Sequence, residues 1–352
     1  MEITDFRSFH RTKFEPAGSG LTVISGHNGA GKTSLLEAIG YLSVQESFRG
    51  SPREALVRVG ASSAVIRGEF EEQSRPTLVE VKIAPPRRDV VQRNRQRVSR
   101  VRELLETSRV TVFSPDDLSL VKGGPAERRR YLDDVLVSAF PRHATLRQSL
   151  DRILRQRGVL LRQAGGRLSP EIEATLDVWD EQLVDVADEL TAARQQLVAE
   201  LNPWVRDAFS RLTKLPESLE LTYELSYAGD FRTALGLARA SDLKRQSTGI
   251  GPHRDEVMID LGDLDARSRL SQGRQRAVTL ALRLASHEVV THHVGSRPLL
   301  LLDDAFSELD EATANALVRE LPEGQAVLTT AGPLPLGLEA AVTRFLEQGT
   351  LS

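Results

Sequence analysis

The chain has 352 residues, 40% hydrophobic and 27% charged, a globular mix too long for one ordinary domain and suited to two. Cysteine is absent, which excludes disulfides, thiolate chemistry and cysteine-held zinc; none of the seven His stand at metal-binding spacing on a helix, which argues against a zinc enzyme. A net charge of −3, no apolar run of membrane-spanning length and a charged segment over residues 1–14 lead to the expectation of a cytoplasmic protein.

Leu21-Thr22-Val23-Ile24 reads as a short buried strand, Gly26 to Gly31 as a turn, and Ser34 to Leu42 has helical spacing. Residues 57–83 read as two or three strands, with Ala64–Ile66 and Leu78–Val81 as an antiparallel pair. Pro85-Pro86-Arg87-Arg88 is a loop, and Val110–Phe113 is a further strand ended by Ser114-Pro115. From about 126 to 210 the period becomes helical. Leu146, Leu150 and Ile153 share one face, and Ser169-Pro170 suits a helix start. Ile172, Leu176, Trp179, Leu183, Val186, Leu190, Ala193 and Leu197 then recur at steps of four and three, the expected seam of a long helix. Strands return with Val257–Ile259 and the wholly apolar Leu299–Leu302, and Gln325–Leu328 reads as one more. Strands at both chain ends bracket a helical middle, so the pattern predicts an α/β domain built from both ends. Its expected limits are 1–113 with 296–352, interrupted by residues 114–295.

The charges are uneven. Basic residues number 40 Arg against six Lys. Residues 87–100 hold six Arg and one Asp, residues 142–167 seven Arg and one Asp, and residues 171–189 eight acids and no base. The last two runs are expected to neutralise each other across a helical hairpin. The first has no such neighbour in sequence.

Three segments carry chemistry. Gly26-His27-Asn28-Gly29-Ala30-Gly31-Lys32-Thr33, followed by Ser34, fits G-x-x-x-x-G-K-[ST] between a strand and a helix. Its glycines let successive N–H groups face ATP phosphates, with Lys32 on the β- and γ-phosphates and the Thr33 hydroxyl on Mg²⁺. Asp303 and Asp304 end the apolar strand; Asp303 is the expected metal partner and Asp304 the group that polarises the attacking water. Asp304 is one methylene shorter than the Glu usual in transporter ATPases, so slow hydrolysis is expected. Leu270-Ser271-Gln272-Gly273-Arg274-Gln275 precedes a helix, with Ser271 as its cap and Gly273 allowing close approach of a phosphate. This third segment resembles the signature loop of ABC-type ATPases, and with Ser307-Glu308-Leu309-Asp310 it implies two chains sandwiching two nucleotides.

Over nearly its full length the chain resembles the RecF family of bacterial recombination mediators. The resemblance rests on Phe6-Arg7-Ser8-Phe9, the phosphate loop with Ser34–Ile39, Phe113–Leu118, Val121–Pro125 with Glu127–Asp133, Gly251-Pro252-His253-Arg254-Asp255, and Leu302–Asp310. It implies an ABC-type head whose lobe I is a mixed sheet around a central helix, and an α-helical lobe II with a short antiparallel arm at about 126–210. It further implies an ATP-dependent homodimer, weak DNA-stimulated ATPase activity, binding of duplex and gapped DNA, and cooperation with RecR and RecO in loading RecA. Ser271 would meet the opposite γ-phosphate. Arg274 stands where such loops usually carry Gln, and Thr329-Thr330, placed after the last strand, where transporter ATPases carry a switch His. The nucleotide-binding subunit of a transporter is the alternative that shares all three ATP segments. With aromatics at 5%, phosphate contacts by Arg rather than base stacking are expected, with Arg128, Arg129 and Arg130 or residues 87–100 as candidates.

Overall fold

The computed structural model describes residues 1–72, 75–98, 101–105 and 107–352. The first stretch forms β1 (Glu2–Phe6), β2 (Phe9–Lys13), β3 (Gly20–Ser25), α1 (Lys32–Val44), β4 (Ala64–Glu72), β5 (Arg75–Ile83), β6 (Val90–Arg93), β7 (Gln96–Val98), α2 (Val101–Leu105) and β8 (Val110–Phe113). The middle forms α3 (Ser119–Lys122), α4 (Pro125–Ala139), α5 (Ala144–Gln163), α6 (Pro170–Thr213), β9 (Leu219–Glu224), α7 (Phe231–Arg245), β10 (Glu256–Leu261), β11 (Leu264–Asp265) and α8 (Ala266–Arg269). The last stretch forms α9 (Gln272–Val294), β12 (Leu299–Asp303), α10 (Glu311–Glu320), β13 (Gln325–Thr330), β14 (Val342–Glu347) and β15 (Thr350–Leu351).

Two compact units result: Met1–Leu118 with Asp207–Pro216 and Gln272–Ser352, and Ser119–Arg206 with Glu217–Ser271. The expected limit at 295/296 is therefore corrected. α9 clusters with the strands, because Ala277, Val278, Ala281 and Leu282 are buried on a helix of which 13 of 23 residues are buried.

The first unit contains two sheets. One is antiparallel in the order β2-β1-β4-β5-β6-β7; the expected pair is β4 with β5, Ile66 facing Val81. The other runs β15-β14-β3-β13-β12-β8, with β14, β3, β13, β12 and β8 all parallel. α1 packs on strands of both, and ten of its 13 residues are buried. A helix covered from all sides needs no polar face, which explains its weak amphipathic period.

In the second unit β9, β10 and β11 form a small sheet beside the helices. Leu146, Leu150 and Ile153 are buried as expected, and the Ser169 hydroxyl accepts the Ile172 N–H at 3.3 Å at the start of α6. The seam of α6 is offset from the expected one. Its buried stripe is Leu176, Asp180, Leu183, Ala187, Leu190, Arg194, Leu197 and Leu201, while Ile172, Trp179, Val186 and Ala193 are half-buried. Two charged residues occupy seam positions because each has a buried partner. Arg157 bonds Asp180 at 2.7 Å and Asp242 at 2.7 Å, and Arg194 bonds Asp133 at 2.8 Å.

The expected mutual neutralisation of α5 and α6 is corrected too. Arg157 is the α5 residue that reaches an α6 acid, whereas Asp177, Asp180 and Glu181 are met by Arg239 and Arg232 of α7. Arg152, Arg155 and Arg162 are exposed and have no ion pair among the described residues.

Candidate nucleotide site

β3 delivers the chain into the phosphate loop at Gly26, and α1 leaves it at Lys32. Gly26 has no room for a side chain: a Cβ there would lie 2.4 Å from the Leu346 carbonyl oxygen of β14. Gly31 has φ 104° and would bring a Cβ to 2.9 Å from Ser8 Oγ. Both positions therefore demand glycine, one by close approach and one by conformation as well. His27, Asn28 and Gly29 are exposed, Ala30, Gly31, Thr33 and Ser34 are half-buried, and Lys32 is buried. Lys32 Nζ donates to the carbonyls of Gly26 at 2.9 Å and His27 at 3.1 Å, so the loop curls over its own cation. That leaves one positive charge at the head of a 13-residue helix, where the dipole and free N–H groups favour phosphate.

The acidic end of β12 meets this loop. Thr33 Oγ1 donates to Asp303 Oδ1 at 2.9 Å. Burial pushes the Asp303 carboxyl up from its ordinary value, while hydrogen bonds from Thr329 and Thr33 pull it back. A hydroxyl and a carboxylate beside a phosphate cradle form a hard oxygen donor set. They fit Mg²⁺, which takes one or two protein ligands and completes its shell with phosphate and water. Among the described residues no group of three or more His, Cys, Asp or Glu is gathered for a metal. Thr33 and Asp303 would hold the ion, which would supply positive charge against the phosphates.

Asp304 follows with φ 44°, in the left-handed region that Gly and, less often, Asn or Asp adopt. Its N–H donates to Thr329 O at 3.2 Å and Thr329 Oγ1 at 3.1 Å, and its carbonyl accepts the Ser307 hydroxyl at 2.8 Å. Thr329 lies within β13, paired in register with Asp303, which corrects its expected placement after the last strand. The Thr330 hydroxyl turns instead to Gly332, donating to its carbonyl at 3.0 Å. A cavity of about 50 Å³ borders Asp304 and Glu308, and among the residues that line it Arg276 pairs with Glu308 and Arg283 with Asp117, at 2.5 Å each.

Ser271, Gln272 and Gly273 are exposed and Arg274 half-buried, with Ser271 closing the second unit and α9 beginning at Gln272. This places Ser271 at the cap position of a 23-residue helix. Asp310 caps α10, accepting the Thr313 N–H at 2.9 Å.

Two features escaped the sequence reading. Arg7 forms a bidentate pair with the fully buried Glu37, at 2.7 Å to each oxygen, and donates to Ser51. Glu37 also accepts from Ser47, whose oxygen accepts the N–H groups of Arg49 and Ser51. Phe6–Phe9 and Ser34–Ile39 are thus two halves of one clamp, and the loop it shapes sets Arg49 4.0 Å from Asp116 and within electrostatic reach of Asp303. Arg at a turn and Glu one helical turn past the loop were visible signals, but their pairing was not.

The candidate polyanion contacts separate sharply. Arg128 is buried in a bidentate pair with Glu256 at 2.9 Å, Arg129 donates to the Asp255 carbonyl, and Arg130 lies 3.8 Å from Asp134. These three build the second unit. Arg87, Arg88, Arg95 and Arg97 are exposed on the β6–β7 hairpin and the loop before it, without an ion pair among the described residues. Asn94 and Arg95 take left-handed φ values at the hairpin tip, and Arg93 is held by the Glu103 carbonyl. Arg100 lies outside the described residues.

Residues 1–330 match the RecF/RecN/SMC N-terminal domain family. The DNA replication and repair protein RecF of Streptomyces avermitilis is 38% identical over 347 residues, covering 94% of this chain and 92% of its own. Its namesake from Beutenbergia cavernae is 37% identical over 382 residues, covering 97% and 96%. Among solved structures, the recombination mediator protein RecF with ATP superposes with a TM-score of 0.91 at 26% identity, over 100% of this chain and 95% of that one. An Smc head bound to the C-terminal winged-helix domain of ScpA superposes with a TM-score of 0.59 at 15% identity, a likeness of fold. The chain belongs to the RecF family, and its fold is that of the ABC-type ATPase head.

Proposed function

We propose that this chain is an ATP-dependent, DNA-binding recombination mediator. Two copies close on two ATP–Mg²⁺, each nucleotide held by Gly26–Ser34 of one copy and met by Ser271, Gly273 and Arg274 of the other. Lys32 neutralises the β- and γ-phosphates, Thr33 and Asp303 hold Mg²⁺, and Asp304 orients the attacking water and accepts its proton. The closed dimer binds duplex and gapped DNA through backbone phosphates, with Arg87, Arg88, Arg95 and Arg97 as contacts. Slow hydrolysis, stimulated by DNA, returns it to monomers. RecR and RecO are the expected partners in placing RecA on single strands during gap repair, replication restart and the SOS response.

The observation that carries this reading is the joining of Thr33 to Asp303 at 2.9 Å with Lys32 curled under the loop. It is the arrangement a triphosphate with Mg²⁺ requires. Sedimentation velocity with and without ATP–Mg²⁺ and a short duplex, on wild type, Ser271→Arg and Lys32→Met, tests it. A dimer that forms with ATP, persists on duplex and is lost in both variants is the expected result. A monomer under every condition, with nucleotide still bound, would sink the assignment of Ser271.

A further inference from the structure

Thr329 is fully buried, and its hydroxyl touches both acids of the nucleotide site. It donates to Asp303 Oδ1 at 2.7 Å and accepts the backbone N–H of Asp304 at 3.1 Å. The same Asp303 oxygen receives Thr33 at 2.9 Å, whereas Oδ2 takes no hydrogen bond among the described residues. A buried threonine always needs some acceptor, and the Leu302 carbonyl lies at 3.5 Å. The shorter bond goes to the carboxylate, the stronger acceptor, and turns Asp303 so that one oxygen is saturated and the other free. The second bond helps to hold Asp304 in its left-handed conformation, which sets where that carboxylate leaves the chain.

We propose that Thr329 is a positioning residue for ATP hydrolysis, whose single hydroxyl fixes both the metal-side carboxylate of Asp303 and the backbone of Asp304. This rests on the ATPase reading above and adds a residue to it. Groups that orient metal ligands in this manner typically change metal affinity or activity by about 10- to 100-fold when removed. Parallel register with Asp303 means that no other β13 side chain can take over the contact.

The test compares Thr329→Val, which keeps shape and β-branching, with Thr329→Ser, which keeps the hydroxyl, and with Thr343→Val, at an exposed position of β14, as control. Steady-state ATPase is measured against Mg²⁺, and binding of a fluorescent ATP analogue is titrated with Mg²⁺ separately. Thr329→Val is expected to lower kcat and raise the Mg²⁺ midpoint, each by about tenfold or more, with metal-free nucleotide binding unchanged. Thr329→Ser should recover most of both. A folded Thr329→Val with wild-type kcat and Mg²⁺ midpoint would overturn the proposal, as would a Ser variant impaired as badly as Val. If Val does not fold, the Ser variant and Thr329→Ala decide by the same two readouts. A wild type without turnover would defeat the ATPase reading instead, and the Mg²⁺ midpoint of nucleotide binding would still judge Thr329.

Discussion

Arg194→Met tests how the helical arm is rooted. Arg194 is 2% exposed and Asp133 6%, and the pair is bidentate at 2.8 Å on both arms. The third guanidinium nitrogen donates to the Pro252 carbonyl at 2.7 Å and to Tyr223 at 3.2 Å, and Tyr223 in turn donates to Asp255. Removing Arg194 strands a buried carboxylate, which costs about 3–5 kcal/mol. Asp133→Leu strands the guanidinium and costs a similar amount. The double variant removes both charges, leaving chiefly the unpaired Pro252 carbonyl, worth about 1–3 kcal/mol. The two single changes are therefore expected to be strongly non-additive, with at least about 3 kcal/mol of coupling. Urea denaturation followed by tryptophan fluorescence reads the arm directly, because both tryptophans, Trp179 and Trp204, stand on α6. An additive double variant, or an Arg194→Met within about 1 kcal/mol of wild type, would refute this account.

Further outcomes follow from the site and from buried histidines. Lys32→Met should abolish binding of ATP–Mg²⁺ by fluorescence titration, whereas Asp304→Asn should keep binding and lose about 10²- to 10⁴-fold in kcat; equal binding losses in both would contradict the division of roles. Changing Arg87, Arg88, Arg95 and Arg97 to Gln should flatten the salt dependence of duplex affinity by about 3 to 4 units of log K against log salt. An unchanged slope in anisotropy titrations would remove that hairpin from the DNA contacts. His287 is buried against Thr111 at 3.0 Å, and burial lowers its pKa to about 4. The unfolded chain therefore binds this proton first as pH falls. Stability is fully present above about pH 6.5 and is lost toward pH 4, at about 1.4 kcal/mol per unit and so about 2 kcal/mol by pH 5. Urea midpoints at pH 7, 6 and 5 should show a shallower decline in His287→Gln than in wild type; identical declines would argue against the assignment.

What could be read from the sequence was what chemistry writes locally. A phosphate loop needs its glycines, lysine and hydroxyl at set spacing, so the spacing alone marked a candidate site, and four apolar residues before Asp303 marked its candidate carboxylate. Strands β4 and β5 were legible from alternation, since one face of each is buried. β14 was not, because along its six residues only Leu346 is buried, and its role is to crowd Gly26 with a carbonyl rather than to fill the core with side chains. The seam of α6 was misplaced by one residue at Trp179, Val186 and Ala193 for a related reason. Hydrophobic periodicity follows apolar residues, and Asp180 and Arg194 are core positions whose partners lie 23 and 61 residues away. Charges at seam positions stabilise little in themselves, since apolar replacements of such pairs are often neutral or better. Their consequence here is geometric. Asp180 admits only a neighbour that brings Arg157, and Arg194 only one that brings Asp133 and the Pro252 carbonyl, so α6 has one register against its neighbours in the second unit. An apolar stripe of leucines would tolerate sliding by a turn.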